Sequence, residues 1–295
     1  MNVSVSCSCC QGKEGEILYD GLTSIYSSDK WSLARCLTCG NIITLPVPDA
    51  QLLGRIYSQT YLYPVHRAAM GEKRFRSKSM AGFIRTFRPP SSGTTILEAG
   101  CMYGYLLEEL KDDYSVKGIE IGSEAVDFCR RHGLDVTDIP LEEFLKQDSS
   151  FDVIILSHVF EHLLLADEVF EKLLTKLGDD GVLVISVPNS DSFCRKLFGR
   201  YWGWWQVPVH INHFSESALR RLVQRFDVSL ATTRKRGGDS LMLMLNFINL
   251  LGFRGAGRKP GPLQVMLIVL WSALTRWWYY LGNEELTVVI RKTKK

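Results

Sequence analysis

From residue 94 onward, short apolar runs alternate with longer mixed stretches. Residues 94–97, 116–120, 151–157 and 181–189 are apolar runs bounded by glycine, proline or polar turns. Runs without polar alternation predict strands buried on both faces. Residues 123–132 and 166–177 read as helices between them. Residues 226–233 and 285–291 add two further strands. Strands alternating with helices predict an α/β fold with a doubly wound, Rossmann-like sheet. In such sheets ligands bind beyond the carboxyl ends of the strands. Ser215 precedes an amphipathic stretch at 216–223, where its hydroxyl caps a helix.

Two segments break this rhythm. Residues 240–283 form an apolar insert: a run at 241–251, a Gly/Arg/Pro-rich break, and a run at 263–281. The second run contains Arg276 and sits at the short limit for a membrane span, which needs about 20 apolar residues. A span would also separate the last strand from its sheet. A helical hairpin is expected instead, covered by the domain, by a second copy in a homodimer, or by peripheral membrane contact through 241–281. Arg254, Arg258 and Lys259 in the break suit an anionic surface. The other segment is the N-terminus. The expected organisation is residues 1–45, a zinc ribbon; 46–90, a helical linker; 91–239, the core with an acceptor-side insert at 190–215; 240–283, the helical insert; and 284–295, the last strand and a basic tail.

The N-terminal reading rests on cysteines. The first residues lack the basic start and apolar run of a secretion signal. The chain is therefore expected in the reducing cytoplasm, with the inner face of the membrane as its extension. There, Cys-x-x-Cys pairs read as metal ligands rather than disulfides. Cys7 and Cys10 form one such pair, Cys36 and Cys39 another. Two knuckles of that spacing complete a tetrahedral four-thiolate site for Zn2+. Cys9 is a spare thiol able to replace Cys10. Residues 16–19 and 31–35 read as strands between the knuckles. A unit of about 45 residues buries little core, so the metal is expected to supply its folding energy. A closed site of this kind is structural. The net charge of +3 argues against a nucleic-acid partner.

The first central strand runs into Glu98-Ala99-Gly100-Cys101-Met102-Tyr103-Gly104, a glycine turn that lets backbone approach a ligand. The second strand ends at Glu120, placed to accept hydrogen bonds from ribose hydroxyls.

The stretch from Ile96 to Gly104 resembles the first motif of class I S-adenosylmethionine (SAM) dependent methyltransferases. Leu156-Ser157-His158-Val159-Phe160-Glu161-His162-Leu163 resembles their segment after strand four. Leu177-Gly178-x-x-Gly181 and Val187-Pro188-Asn189 resemble the flanks of strand five. The likeness covers residues 90–235. The ribbon followed by Leu45-Pro46-Val47-Pro48 resembles a bacterial subgroup frequent in glycan and secondary-metabolite pathways. The resemblance implies a seven-stranded sheet and SAM as cofactor, held by Glu98, Gly100, Cys101, Gly104, Glu120, Ile121, Asp138, Ile139, Ser157 and His158. Gly100 and Gly104 would face its methionine part, Glu120 its ribose, and Asp138 and Ile139 its adenine. Family members usually carry glycine where this chain has Met102.

Methyl transfer from a sulfonium is an in-line displacement, and aligning the acceptor supplies up to about 7–11 kcal/mol. A hydroxyl acceptor gains a further ~10²–10⁴-fold from a general base. His158, His210 and His213 are the candidate bases, each with a structural alternative, and His162 reads as a residue that orients Glu161. The aromatic run Tyr201-Trp202-Gly203-Trp204-Trp205 suits either a sugar face or a core. The expected function is methyl transfer to a small-molecule or lipid-linked glycan acceptor, at a sugar hydroxyl. C- or N-methylation, RNA methylation, and a SAM-fold scaffold without catalysis stay open as rivals.

Overall fold

A computed structural model describes residues 1–59, 70–238, 240–250, 270–271 and 277–293. The chain opens with β1 (Asn2–Ser4), β2 (Glu14–Thr23), β3 (Lys30–Cys36) and β4 (Ile42–Leu45), then helices α1 (Ala50–Gln59) and α2 (Met70–Phe87). Next come β5 (Thr95–Ala99), α3 (Tyr105–Leu110), β6 (Ser115–Glu120), α4 (Ser123–Arg131), β7 (Val136–Asp138), α5 (Leu141–Phe144) and β8 (Phe151–Ser157). They are followed by α6 (Ala166–Thr175), β9 (Leu177–Pro188), α7 (Phe193–Phe198), β10 (Asn212–His213), α8 (Glu216–Val223) and β11 (Val228–Arg236). The described C-terminal elements are α9 (Ser240–Leu250), α10 (Trp278–Leu281) and β12 (Glu285–Lys292).

Among the described residues the larger sheet has seven strands in the order β11-β12-β9-β8-β5-β6-β7. The five from β9 to β7 are parallel; β12 runs antiparallel to both β9 and β11. The apolar runs explain the layering. Leu97, Ile154, Leu156, Leu183 and Ile185 pack on Phe170 and Leu173 of α6 and Leu219 of α8. The alternate residues Ile96, Val153, Ile155 and Val184 pack on Ile84 of α2 and Leu106 and Leu110 of α3. Each such side chain contributes about 1.5–3 kcal/mol on burial. The last strand takes an inner place because Leu286, Val288, Val289 and Ile290 are apolar on both faces. The edge strand β11 ends in Arg234-Lys235-Arg236, charges that discourage further pairing.

Several boundaries differ from the sequence reading; the strand expected at 226–233 runs Val228–Arg236 and the helix expected at 166–177 runs Ala166–Thr175. Gly178-Asp179-Asp180, read as a turn, lies inside β9, because Leu177 already pairs with Phe151 and a register shift absorbs the extra residues. The N-terminal strands reach further than residues 16–19 and 31–35. They also gain β10, which pairs with β4 and makes a five-stranded sheet β1-β2-β3-β4-β10. Ser8 Oγ donates to Asn212 Oδ1 at 2.8 Å, and Arg225 Nη1 donates to the Ser8 carbonyl at 2.7 Å. Trp31, Leu33 and Ile42 share one apolar cluster with Phe198, Trp202, Trp204 and Trp205. The N-terminal sheet thus leans on the segment before α8 rather than standing on its own core.

Ser215 caps α8 as expected, accepting from the Ala218 amide at 3.2 Å. Helix α9 rests on the aromatic segment through Asn246 Oδ1, which accepts from the Gly203 amide at 2.6 Å. Most of the run 263–281, and Arg254, Arg258 and Lys259, lie outside the described residues. Among the described residues, no helix is long and apolar enough to cross a membrane.

Candidate active site

Strand β5 delivers its turn at the carboxyl edge of the sheet. Gly100 has φ 69°, and a Cβ there would lie 2.5 Å from Val159 Cγ2. The turn after β5 therefore touches the segment after β8, and only glycine fits the contact. Met102 has φ 48°, a left-handed conformation that costs a side-chain-bearing residue about 1–2 kcal/mol. Two bonds hold it there. Its amide donates to Glu120 Oε2 at 2.8 Å, and its carbonyl accepts from the Cys129 thiol at 3.2 Å. A methionine is thus held in a left-handed turn conformation that glycine adopts without that cost.

Glu120 is buried at the end of β6, and its Oε1 accepts from the amides of Ile121 and Gly122, both at 2.9 Å. Glu98 is buried beside the same turn, and its Oε2 has no hydrogen-bond partner among the described residues. Burial, followed by the nearby Cys129 and Glu120, pushes its carboxyl well above the usual carboxylate range. A buried polar atom left without a partner fits a ligand that is bound through polar groups. Gly100, Cys101, Gly104, Glu120 and Ser157 lie at or just after the ends of the adjacent strands β5, β6 and β8. Asp138 ends β7 opposite Glu120, exposed to solvent, with Ile139 just beyond it. Ile121 is 52% exposed.

His158 follows β8 with φ 57°. Its ring stacks on Trp204, with centroids 5.1 Å apart and planes 8° from parallel. Nε2 lies 2.8 Å from Arg76 Nη2 and 3.0 Å from Glu285 Oε2, and Nδ1 lies 3.4 Å from Glu161 Oε1. Arg76 also pairs directly with Glu285. Burial opposes a charged His158 ring, but Glu161 and Glu285 outweigh it and raise its pKa. Burial likewise works against ionised Glu285, and Arg76 and then His158 overcome it, holding the carboxyl low. Arg76 and Glu285 escaped the sequence reading. One arginine in a basic helix and one acid at the start of a strand carry no local signal.

The other histidines turn inward. His210 is 3% exposed and donates from Nδ1 to the Trp204 carbonyl at 2.8 Å. His213, equally buried, has Nε2 3.1 Å from Thr44 Oγ1. Its ring ties the segment before α8 to the N-terminal sheet. Burial, with His162 nearby, lowers its pKa to about 3. The folded state resists protonation of this ring, so its contribution to stability is present above the unfolded value near 6.5. It is lost progressively as pH falls from there toward 3. Wild type is expected to lose about 2 kcal/mol through this ring between roughly pH 7.5 and 5, and His213→Gln to flatten that part of the dependence. Urea denaturation at the two pH values checks it; equal slopes in both proteins would contradict it.

The four cysteines named from spacing converge. Cys7 and Cys39 Sγ are 3.4 Å apart, Cys10 and Cys36 Sγ 3.6 Å, and all four lie within 4.8 Å of one another. Thiolates about 2.3 Å from a tetrahedral ion would sit about 3.8 Å from each other, so the quartet fits such an ion. The knuckle turns close through Gln11 N to Cys7 O and Gly40 N to Cys36 O, at 2.8 and 2.9 Å. Cys10 belongs to the group, while Cys9 is buried in the adjoining core.

The sequence matches the family described as methyltransferase domain over residues 70–232. No curated protein matches it. Similar solved structures include the plantazolicin methyltransferase BpumL in complex with SAH, 16% identical, covering 79% of this chain and 90% of that one at a TM-score of 0.50. The mycolic acid cyclopropane synthase CmaA1, complexed with SAH and CTAB, is 14% identical, with 72% and 83% covered at a TM-score of 0.53. The cyclase SpnF is 14% identical, with 74% and 81% covered at a TM-score of 0.51. At these identities the likeness establishes the fold.

Proposed function

Because the chain belongs to the methyltransferase-domain family, we propose that it moves a methyl group from SAM to a small-molecule acceptor, at a hydroxyl of a sugar or glycan intermediate. One observation carries the reading: the Gly100–Gly104 turn, flanked by the buried Glu98 and Glu120, lies against Val159, the residue after His158, at the ends of paired strands. SAM supplies a methyl group activated by its sulfonium. Glu120 would accept from the ribose hydroxyls, and the amides it now holds pre-align its carboxylate. The β5 turn would take the methionine part, and Asp138 and Ile139 the adenine.

His158, rather than the interior His210 and His213, is the proton acceptor in this reading. As the acceptor oxygen took the methyl group that bound SAM would supply, leaving the sulfur with the C–S electron pair, the oxygen's proton would pass to His158 Nε2. That nitrogen must first yield its contact with Arg76. Glu161 and Glu285 then stabilise the imidazolium, the part played by the acid of a catalytic triad. In the N-terminal unit, Cys7, Cys10, Cys36 and Cys39 would hold a structural zinc ion.

The test uses methyl-labelled SAM and a panel of nucleotide-activated sugars. Label is expected in a sugar ether. His158→Ala is expected to lower turnover by about 10²–10⁴-fold while SAM affinity changes only a few-fold. Label recovered solely on carbon or nitrogen would contradict the acceptor class. Undiminished turnover in the variant would remove the base.

A further inference from the structure

We propose that Glu161, His162 and His210 bind one divalent transition-metal cation, at a site separate from the four cysteines. A carboxylate oxygen of Glu161 and a ring nitrogen of each histidine lie within 4.8 Å of one another. Glu161 is 1% exposed, and neither of its carboxylate oxygens has a hydrogen-bond partner among the described residues. Its neighbours are His158 Nδ1 at 3.4 Å and His210 Nε2 at 4.0 Å. The His158 ring is charged only when protonated, so this buried carboxylate among imidazoles favours a further positive charge beside it.

The imidazoles are already set as ligands. Backbone carbonyls can only accept, so the Val209 carbonyl, 2.9 Å from His162 Nδ1, favours a proton on that nitrogen, which the Tyr57 hydroxyl 3.0 Å away then shares as a second acceptor. The Trp204 carbonyl does the same for His210 Nδ1 at 2.8 Å. Each ring keeps its lone pair on Nε2. Nδ1–H bonded to a carbonyl is the usual outer support of a metal-ligating histidine. The backbone fixes the spacing too. Glu161 and His162 share the turn Phe160–His162, and the Ile211 amide donates to the Glu161 carbonyl at 2.9 Å, which draws His210 in from the far segment.

Two imidazoles and one carboxylate suit Zn2+, Fe2+, Co2+ or Mn2+ better than Ca2+ or Mg2+. Three protein ligands leave coordination positions open, unlike the closed cysteine quartet. Val159, in the same segment, packs against Gly100 of the β5 turn, which places the group beside the proposed SAM pocket. An acceptor oxygen would take an open position; that clause rests on the transferase reading, while cation binding does not.

The test is a cobalt titration of the full chain after its cysteines are loaded with zinc. One further Co2+ per chain is expected, with visible d–d absorption and no sulfur-to-cobalt charge-transfer band. Glu161→Gln, which keeps the side chain's shape, and His162→Ala are each expected to weaken that binding by at least about 100-fold, beyond the ~10–100-fold cost of losing an outer partner. No further ion in folded wild type would overturn the site, and so would unchanged affinity in Glu161→Gln. SAM binding measured on the same samples separates the two readings. SAM bound without the further ion refutes the metal alone, and the ion bound without SAM refutes the transferase alone.

Discussion

Replacing Cys36 with serine is expected to lower stability by at least about 4 kcal/mol and to remove zinc from the purified protein. Structural zinc in isolated peptides contributes about 10–16 kcal/mol at neutral pH. The loss here is smaller because the N-terminal sheet shares packing with the rest of the chain. Trp31, Leu33 and Ile42 stay in contact with Trp202, Trp204 and Trp205 after the metal is gone. The same sharing spreads the damage. Strand β10 pairs with β4, and Thr44 holds both the His210 carbonyl and the His213 ring. Loosening of the N-terminal sheet is therefore expected to expose residues 190–215 to protease. Denaturation monitored alongside zinc content checks this. Stability within about 1 kcal/mol of wild type, or full zinc in the variant, would refute the metal site.

The second large effect concerns Glu285. Its carboxylate faces Arg76 and His158 at once, with 4% of its side chain exposed. Removing one member of a buried ion pair costs about 3–5 kcal/mol, because the remaining charge has lost its compensation. Glu285→Ala leaves Arg76 beside an imidazole whose proton affinity the carboxylate had raised. The expected loss lies in that range, or on the order of 10 °C in melting temperature for a chain of this size. The paired replacement Arg76→Met with Glu285→Leu is expected to recover most of it, since apolar substitutes for a buried pair are often neutral. A Glu285→Ala protein as stable as wild type would show that the network carries no weight. Failure of the double variant to recover would show that its packing, rather than its charge, matters.

The layered core was readable from local pattern because its strands are unbroken apolar runs between turn residues. The cysteine quartet was readable because a two-residue spacer is itself geometry. The turn from Gly100 to Gly104 was readable for the same reason. What escaped depends on distant partners. Arg76 and Glu285 are 209 positions apart, and Glu285 and His158 are 127. Strand β10 has only two residues and exists because β4 offers it an edge. Met102 looked like a departure from a glycine position; its backbone is left-handed, a conformation open to glycine, and Glu120 and Cys129 bond to it there. His213 looked chemically apt from its type and place, but the fold turned it inward against Thr44.

Calorimetric titration of SAM into the zinc-replete full chain tests the central reading most directly. One SAM per chain is expected to bind. Glu120→Ala is expected to weaken it by about 10- to 100-fold, the equivalent of about 1.5–3 kcal/mol for bonds to a charged acceptor. A folded, zinc-loaded protein that binds neither SAM nor SAH would contradict the transferase reading. An unchanged affinity in Glu120→Ala would contradict the placement of the ribose at the end of β6.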